Sequence, residues 1–509
     1  MGKNTQQVLD RHIKRVNEVL YKREELTYRI LTSKTVLQRQ FLSAIYVYNE
    51  LKCYNRLNHK VLMAATQGLN AEQDPIRKAH LARIKHHQIH TLCLSRKEQL
   101  KKVLQMSGTV GLREKAKQAS DYTIVEKSFN TLLETLRKSG QIKAPQLGLS
   151  SAYEALMDEY DPGRIIANYD ALTQDLKTWI PQQKDQRSPK TLIDLPKISK
   201  EVQFELSKEI LKHIGVDLSK TRFQEGMHPT TFGQRDRVLM TMCYHEDNFI
   251  IAALHTLHEG GHALLRQNTP ENLSTGPAIE VNSQTTDESA ALMLENALGR
   301  TTGFAKFLVT TLKDKFGITD PGLTEKNIYN YLTSQTPASM KRTESAQLLY
   351  PLHISIRYAL GRQLIDNNLS AEDLPHAWQV EEKKRLGQQQ PFTKERALQD
   401  IHWFGGRVGY FPCYLSGTLM SIQVYEAAVH DNPHIAEATE NFDPKPLINW
   451  LQQNFYNQFP YHTSDGLVQK ITGQPISAEA FKRQVSKQLG LEPEQQKTKK
   501  QNRKKPPQP

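Results

Sequence analysis

The stretch HTLHEGGH, residues 255–262, holds two imidazoles and a carboxylate at a spacing that can do chemistry. His258 and His262 are four residues apart, so on a helix both project from one face and can reach a single ion. Glu259 points slightly aside, which suits it to take a proton from a water rather than to occupy a ligand site. A chance arrangement in a structural helix gives the same letters, so the metal reading needs a third ligand. The strongest candidate is Glu288 in TTDESAALMLENAL, a segment that reads as the start of a second helix after the loop QNTPENLSTGPAIEVNSQ. Asp287 is expected to cap that helix, while Glu288 turns inward from its first turn. His255 reads as a structural histidine. Glu295 and Asn296 read as residues that steady the second helix or hydrogen-bond near the ligands. The expected cofactor is one Zn2+ per chain, with Co2+ as an alternative divalent ion.

The surrounding residues sharpen this expectation. YHEDNFIIAALHTLHEGGHALL, DESAALMLENALGR, YPLHISIRYAL and IHWFGGRVGYFPCYLSGTLMSIQ, in that order, closely resemble signatures of the Taq-type metallocarboxypeptidases, peptidase family M32. With YEALMDEYDPG before them and LVQKITGQPISAEAF after, the resemblance covers about residues 115–485. It implies His258, His262 and Glu288 as zinc ligands, Glu259 as the acid/base, a mostly helical fold with a deep groove, and frequently a homodimer. It also implies release of single residues from peptides that carry a free C-terminal carboxylate.

The family's His-Glu-Ser is DES here, a departure that bears on local hydrogen bonding. Three others bear on substrate recognition: its His-Pro-Phe is HPT at His228–Thr230, its Asp-x-Arg-x-Thr falls on Arg237–Thr241, where the usual Asp and Arg are missing, and its Ile-Arg-x-x-Ala-Asp resembles KRTES with the residues after it, which keep Arg342 but have Ala346 at the acidic position. In HWFGGRVGYFPCY, His402, Tyr410 and Tyr414 are candidates to stabilise a tetrahedral intermediate or hold peptide backbone, since imidazole and phenol donate hydrogen bonds. Trp403, Phe404, Phe411 and Tyr414 read equally well as residues that pack a loop against the helical core. Arg342 in KRTES is the preferred anchor for a terminal carboxylate because a guanidinium fork can bind it in bidentate fashion, and Arg407 in GGRVGYFP is the alternative. A metallo-oligopeptidase or dipeptidyl-type enzyme, and an inactive metal-containing scaffold, remain rival readings.

The elements that must position these groups are mostly helices. Residues 1–110 carry polar runs with apolar residues at helical intervals, expected to form a helical cover with a dimer role. Residues 111–490 form the expected catalytic region and 491–509 a basic, disordered tail, with a polar connector at 181–200 and a turn at Pro162-Gly163. The segment from Gly226 to Asp247 is compatible with a small β-sheet bordering the active-site groove. Gly260 and Gly261 each cost about 1 kcal/mol relative to alanine inside a helix, so they should admit a metal, a substrate or a crossing backbone.

Hydrophobic content of 38% and charged content of 24% suit a globular protein, and no apolar run is long enough to span a membrane. No secretory signal opens the chain, and Gln6 argues against myristoylation. Four scattered cysteines point to a reducing compartment, so a cytoplasmic location is expected. The net charge of +13 admits an acidic partner, yet no nucleic-acid motif accompanies it.

Overall fold

Apolar residues recurring every three or four positions turn almost the whole chain into helices. The computed structural model describes residues 3–33, 35–163, 166–183, 195–274, 276–280, 283–333, 348–366, 368–386 and 394–488. The basic tail, Arg342 and residues 184–194 of the expected connector lie outside the described residues. Among those described, no helix is long and apolar enough to cross a membrane.

The first helix, Lys3–Leu31, buries Leu9, Ile13, Val16 and Leu20, a stripe at helical spacing. It packs on the helix Val36–Leu57, whose N terminus is capped by Thr35 accepting from the Gln38 amide at 3.2 Å. With Cys53, Leu57, Leu62, Leu81 and Ile84 this stripe makes a cluster of its own, apart from the main core. Polar bonds then fasten the cover to the sheet. Asn17 and Gln234 exchange side-chain hydrogen bonds at 3.3 and 2.7 Å, and Glu24 Oε2 accepts from the Gly233 amide at 3.1 Å.

The sheet has three strands, β1 (Thr221–Glu225), β2 (Thr230–Gln234) and β3 (Arg237–Met242), in the order β1-β3-β2. The central strand β3 runs parallel to β1 and antiparallel to β2, and Val238–Met242 are all buried. Gly233 adopts φ 97°, and a Cβ there would lie 2.1 Å from the Arg237 carbonyl oxygen, so only glycine fits the tight β2–β3 connection. This pairing fixes which face of β2 meets the helices below.

Those helices are pressed together by glycines. The helix Phe249–Gln267 is capped by Asn248 and is buried along most of its length. A Cβ on Gly261 would stand 2.6 Å from the Ala290 carbonyl oxygen and from Ala291 Cα, both on the crossing helix Gln284–Ala297. On Gly260 it would stand 2.4 Å from Ile214 Cδ1. At Gly261 the close neighbour is a crossing backbone, whereas at Gly260 it is the side chains of Ile214 and Leu211. Gly417, on the helix Pro412–Asp431, repeats the device: a Cβ there would meet Glu288 Cβ at 2.8 Å. Glu288 is thereby held between two close helix contacts.

Candidate metal centre

His258 and His262 leave one face of their helix with ring centroids 4.9 Å apart and planes at 84°. Glu288 faces them from the crossing helix, its Oε2 3.5 Å from His258 Nε2. The donor atoms of all three lie within 4.8 Å of one another. Bonds of about 2.0–2.1 Å at a tetrahedral angle set donors roughly 3.3 Å apart, so a slight contraction closes this set on an ion. Glu288 Oε2 is buried and, among the described residues, accepts no hydrogen bond. A carboxylate oxygen withheld from water in this way is costly unless a cation meets it, so the residues fit a divalent metal.

The far nitrogens of both rings are already committed. Glu295 Oε2 lies 3.0 Å from His258 Nδ1, and Asp287 Oδ1 lies 2.6 Å from His262 Nδ1. Such carboxylates fix the tautomer and turn Nε2 toward the metal. Asp287 also accepts both terminal nitrogens of Arg266, at 2.8 and 2.9 Å. Burial opposes its ionisation, but Arg266 and His262 prevail and hold its carboxyl well below the usual range. Glu295 follows the same logic, with His258 and Arg300 outweighing burial. For His258, burial pulls the pKa down, yet Glu288 and Glu295 raise it well above the ordinary imidazole value.

The expected cap is corrected. Ser283, not Asp287, caps the helix Gln284–Ala297, accepting from the Thr286 amide at 3.2 Å. Asp287 lies four residues beyond the cap, which turns it inward, and Glu288 follows from the start of the second turn. Glu295 does hydrogen-bond to His258, an expected ligand, while Asn296 accepts from Arg300 Nε at 3.0 Å. His255 is outside the ligand cluster, and burial lowers its pKa to about 4.

Glu259 is buried, and its Oε2 accepts from the Thr231 hydroxyl of β2 at 2.6 Å. Thr231 escaped the sequence reading, since its contact with Glu259 is made across the fold. The Tyr410 hydroxyl donates to Glu288 Oε1 at 3.1 Å, with Gln284 Oε1 at 3.3 Å. Burial, reinforced by Tyr414 and Glu288, pushes the Tyr410 phenol well above its ordinary pKa, so it stays a donor. His402 stacks on Tyr410 at 5.2 Å and 14°, with Phe411 and Tyr414 edge-on to it. Trp403 and Phe404 are wholly buried, as packing residues are. Arg407 is open to solvent, with its guanidinium carbon 5.8 Å from the Tyr410 ring centre and Tyr160, Tyr46 and Tyr414 also nearby. A further residue absent from the sequence reading is Arg357. Buried against Trp378 and Phe411, it donates from Nε to Asp400 and so fixes the chain two residues before His402.

A helical body that brings two histidines of an HExxH helix against a glutamate of the next long helix is the frame of a metallopeptidase. Residues 32–489 match the family described as carboxypeptidase Taq (M32) metallopeptidase, and the chain belongs to that family. The match therefore starts within the N-terminal helices, ahead of the first recognisable motif. Carboxypeptidase 1 of Bacillus subtilis is 30% identical over 372 residues, which are 72% of this chain and 73% of that protein. Thermostable carboxypeptidase 1 of Pyrococcus furiosus is 29% identical over 382 residues, 73% and 75% of the two chains. Among solved structures, Trypanosoma cruzi metallocarboxypeptidase 1 shares the fold at a TM-score of 0.87 and 22% identity, covering 96% of this chain and 100% of that one. The M32 carboxypeptidase from Deinococcus radiodurans does so at 0.87 and 22%, covering 96% and 99%. The expected mostly helical fold with a small sheet is the one found, and the chain is an enzyme of the metallocarboxypeptidase class.

Proposed function

We propose that this chain uses one zinc ion, held by His258, His262 and Glu288, to release C-terminal residues from peptides. The observation that carries the reading is the buried Glu288 oxygen without a hydrogen-bond partner, facing an imidazole whose far nitrogen is anchored by a carboxylate. Zinc bound there would supply a Lewis acid to polarise the scissile carbonyl and acidify a water. Glu259, with one oxygen held by Thr231, keeps the other to take a proton from that water and pass it to the departing amine. Tyr410 and His402 form the donor wall on which negative charge develops, with Tyr414 beside them. Arg407, open to solvent at the edge of this aromatic group, is positioned to take the substrate's terminal carboxylate as a charged hydrogen-bond pair. Arg342 is the competing anchor. Four free cysteines support the cytoplasmic setting, a homodimer is the assembly this reading carries, and nucleic acid has no part in it.

Product masses from a mixed peptide library test the proposal. One-residue truncations from free carboxyl ends support it, internal products favour an oligopeptidase, and unchanged peptides despite bound metal favour a scaffold. Amidating the terminal carboxylate should suppress cleavage, whereas acetylating the amino terminus should matter much less. R407A or R342A should reduce discrimination against the amidated peptide; preserved selectivity in both variants would sink the arginine assignment.

A further inference from the structure

A second cluster of metal-type donors lies away from the catalytic triad. On the helix Pro75–Leu92, His86 and His90 repeat the four-residue spacing, with ring centroids 4.4 Å apart. Asp158, the last residue of the helix Ala152–Asp158, faces both. Its Oδ2 is 3.0 Å from His90 Nε2 and 3.7 Å from His86 Nε2, and the three donors lie within 4.8 Å of one another. The two distances bracket the roughly 3.3 Å that tetrahedral bonds of about 2.0–2.1 Å impose. We infer that His86, His90 and Asp158 form a second divalent-cation site, distinct from the triad of His258, His262 and Glu288.

Without an ion the cluster is held by two hydrogen bonds, from His90 Nε2 to Asp158 Oδ2 and from His86 Nε2 to the Asp158 carbonyl oxygen, each 3.0 Å, and an ion takes the place of both. Nδ1 of His86 and Nδ1 of His90 are buried without a hydrogen-bond partner among the described residues, so the ion binds at the cost of leaving both Nδ1–H groups unpaired. What favours it is the charge, which is unbalanced. Glu159 pairs with Lys143 at 3.1 Å and Glu280 with Arg83 at 3.6 Å, whereas among the described residues the ion-pair partners of Asp158 are only these two imidazoles. His90 and Asp158 are 7% and 5% exposed, while His86 is half-buried and leaves a way in.

Two imidazole nitrogens and one carboxylate select Zn2+, Co2+ or Ni2+ over Ca2+ or Mg2+, with water to complete the shell. An ion there ties the helix Pro75–Leu92 to the turn after Asp158, where the Gly163 amide donates to Asp158 Oδ1 at 2.9 Å. Two residues past Asp158, Tyr160 packs edge-on against Tyr410 at 5.2 Å, so the ion braces the wall behind the donor group without touching the substrate. Neither His86 nor His90 has the carboxylate on its far nitrogen that both triad histidines have. The site therefore binds more weakly than the triad.

The test is a metal count on the full chain. Chelator-stripped protein is titrated with Zn2+ alone by calorimetry, and bound zinc is counted after gel filtration. Two equivalents are expected, the second weaker, with the second raising Tm beyond the first. H86A should retain the tighter equivalent and lose the weaker one together with its Tm increment. H258A/E288Q, which disables the triad, should keep one equivalent, so the count does not depend on a single variant folding well. A single equivalent in the unaltered chain, or two in both H86A and D158N, would overturn the second site. Because the readout is stoichiometry and not turnover, that result leaves the peptidase proposal standing.

Discussion

The triad His258–His262–Glu288 and the cluster His86–His90–Asp158 share a plan: two histidines one helical turn apart and a carboxylate from another helix. They differ in what surrounds the donors. At the triad each far nitrogen meets a carboxylate, a glutamate follows the first histidine, and a tyrosine hydroxyl reaches the acidic ligand. At the other cluster the far nitrogens have no partner among the described residues, and the residue after the first histidine is His87, which turns to Glu280 at 3.1 Å. Spacing alone can gather an ion. Hydrolysis needs an adjacent base, a committed tautomer and a donor beside the ion, and of these two clusters it is the triad that has residues proposed for all three.

The hardest test of that contrast is E259Q. It removes the proposed base while leaving the proposed metal ligands intact, so turnover should fall about 10²–10⁴-fold and bound metal should stay unchanged. Equal loss of metal and of folding would show that Glu259 does not have the role assigned to it. D287N comes next. The His262 anchor weakens, and metal affinity at the triad should drop roughly 10–100-fold by equilibrium dialysis. Arg266 also loses its buried anion, so a stability loss of about 3–5 kcal/mol is expected in denaturant titration. An unchanged metal affinity would mean that the outer carboxylates do not separate the two sites. G261A should cost about 1–3 kcal/mol, because the new methyl group meets the backbone of the crossing helix at 2.6 Å. Metal should then bind more weakly through the displacement of Glu288, an effect that should be absent at His86 and His90.

That His258, His262 and Glu288 could gather was legible in the sequence because an i, i+4 pair and a downstream acid are local signals, and the ordered motifs around them pointed to one fold. Asp287 was misread as a cap because capping is judged from letters near a helix start, and Ser283 outcompeted it from four residues upstream. Thr231 and Arg357 could not be read as site residues. Each meets its partner across the fold, and nothing in TTFG or YPLHISIRYAL says that a hydroxyl will reach Glu259 or that a guanidinium will reach Asp400. His86 and His90 were in view as letters, but Asp158 is 68 residues beyond His90, so only the packing joins them. The role of Gly261 was open in the sequence and closed by the crossing of two helices.

The smallest effect is expected from T231V, and it probes the finest part of the contrast. The Thr231 hydroxyl touches neither metal donor nor aromatic wall; it fixes one oxygen of Glu259 and leans on the carbonyl of the same residue at 3.3 Å. Valine preserves the shape of the strand face but leaves Glu259 free to rotate, so fewer of its orientations present an oxygen to the attacking water. A lost hydrogen bond is worth on the order of 1 kcal/mol, about fivefold in rate. Because the bond aligns a base and does not bind peptide, the loss should fall on kcat, with KM and bound metal unchanged. T231S returns the hydroxyl without the methyl group and should restore kcat. If T231V instead raised KM at constant kcat, β2 would act as a peptide-binding edge, and the base of this site would need no partner from the sheet.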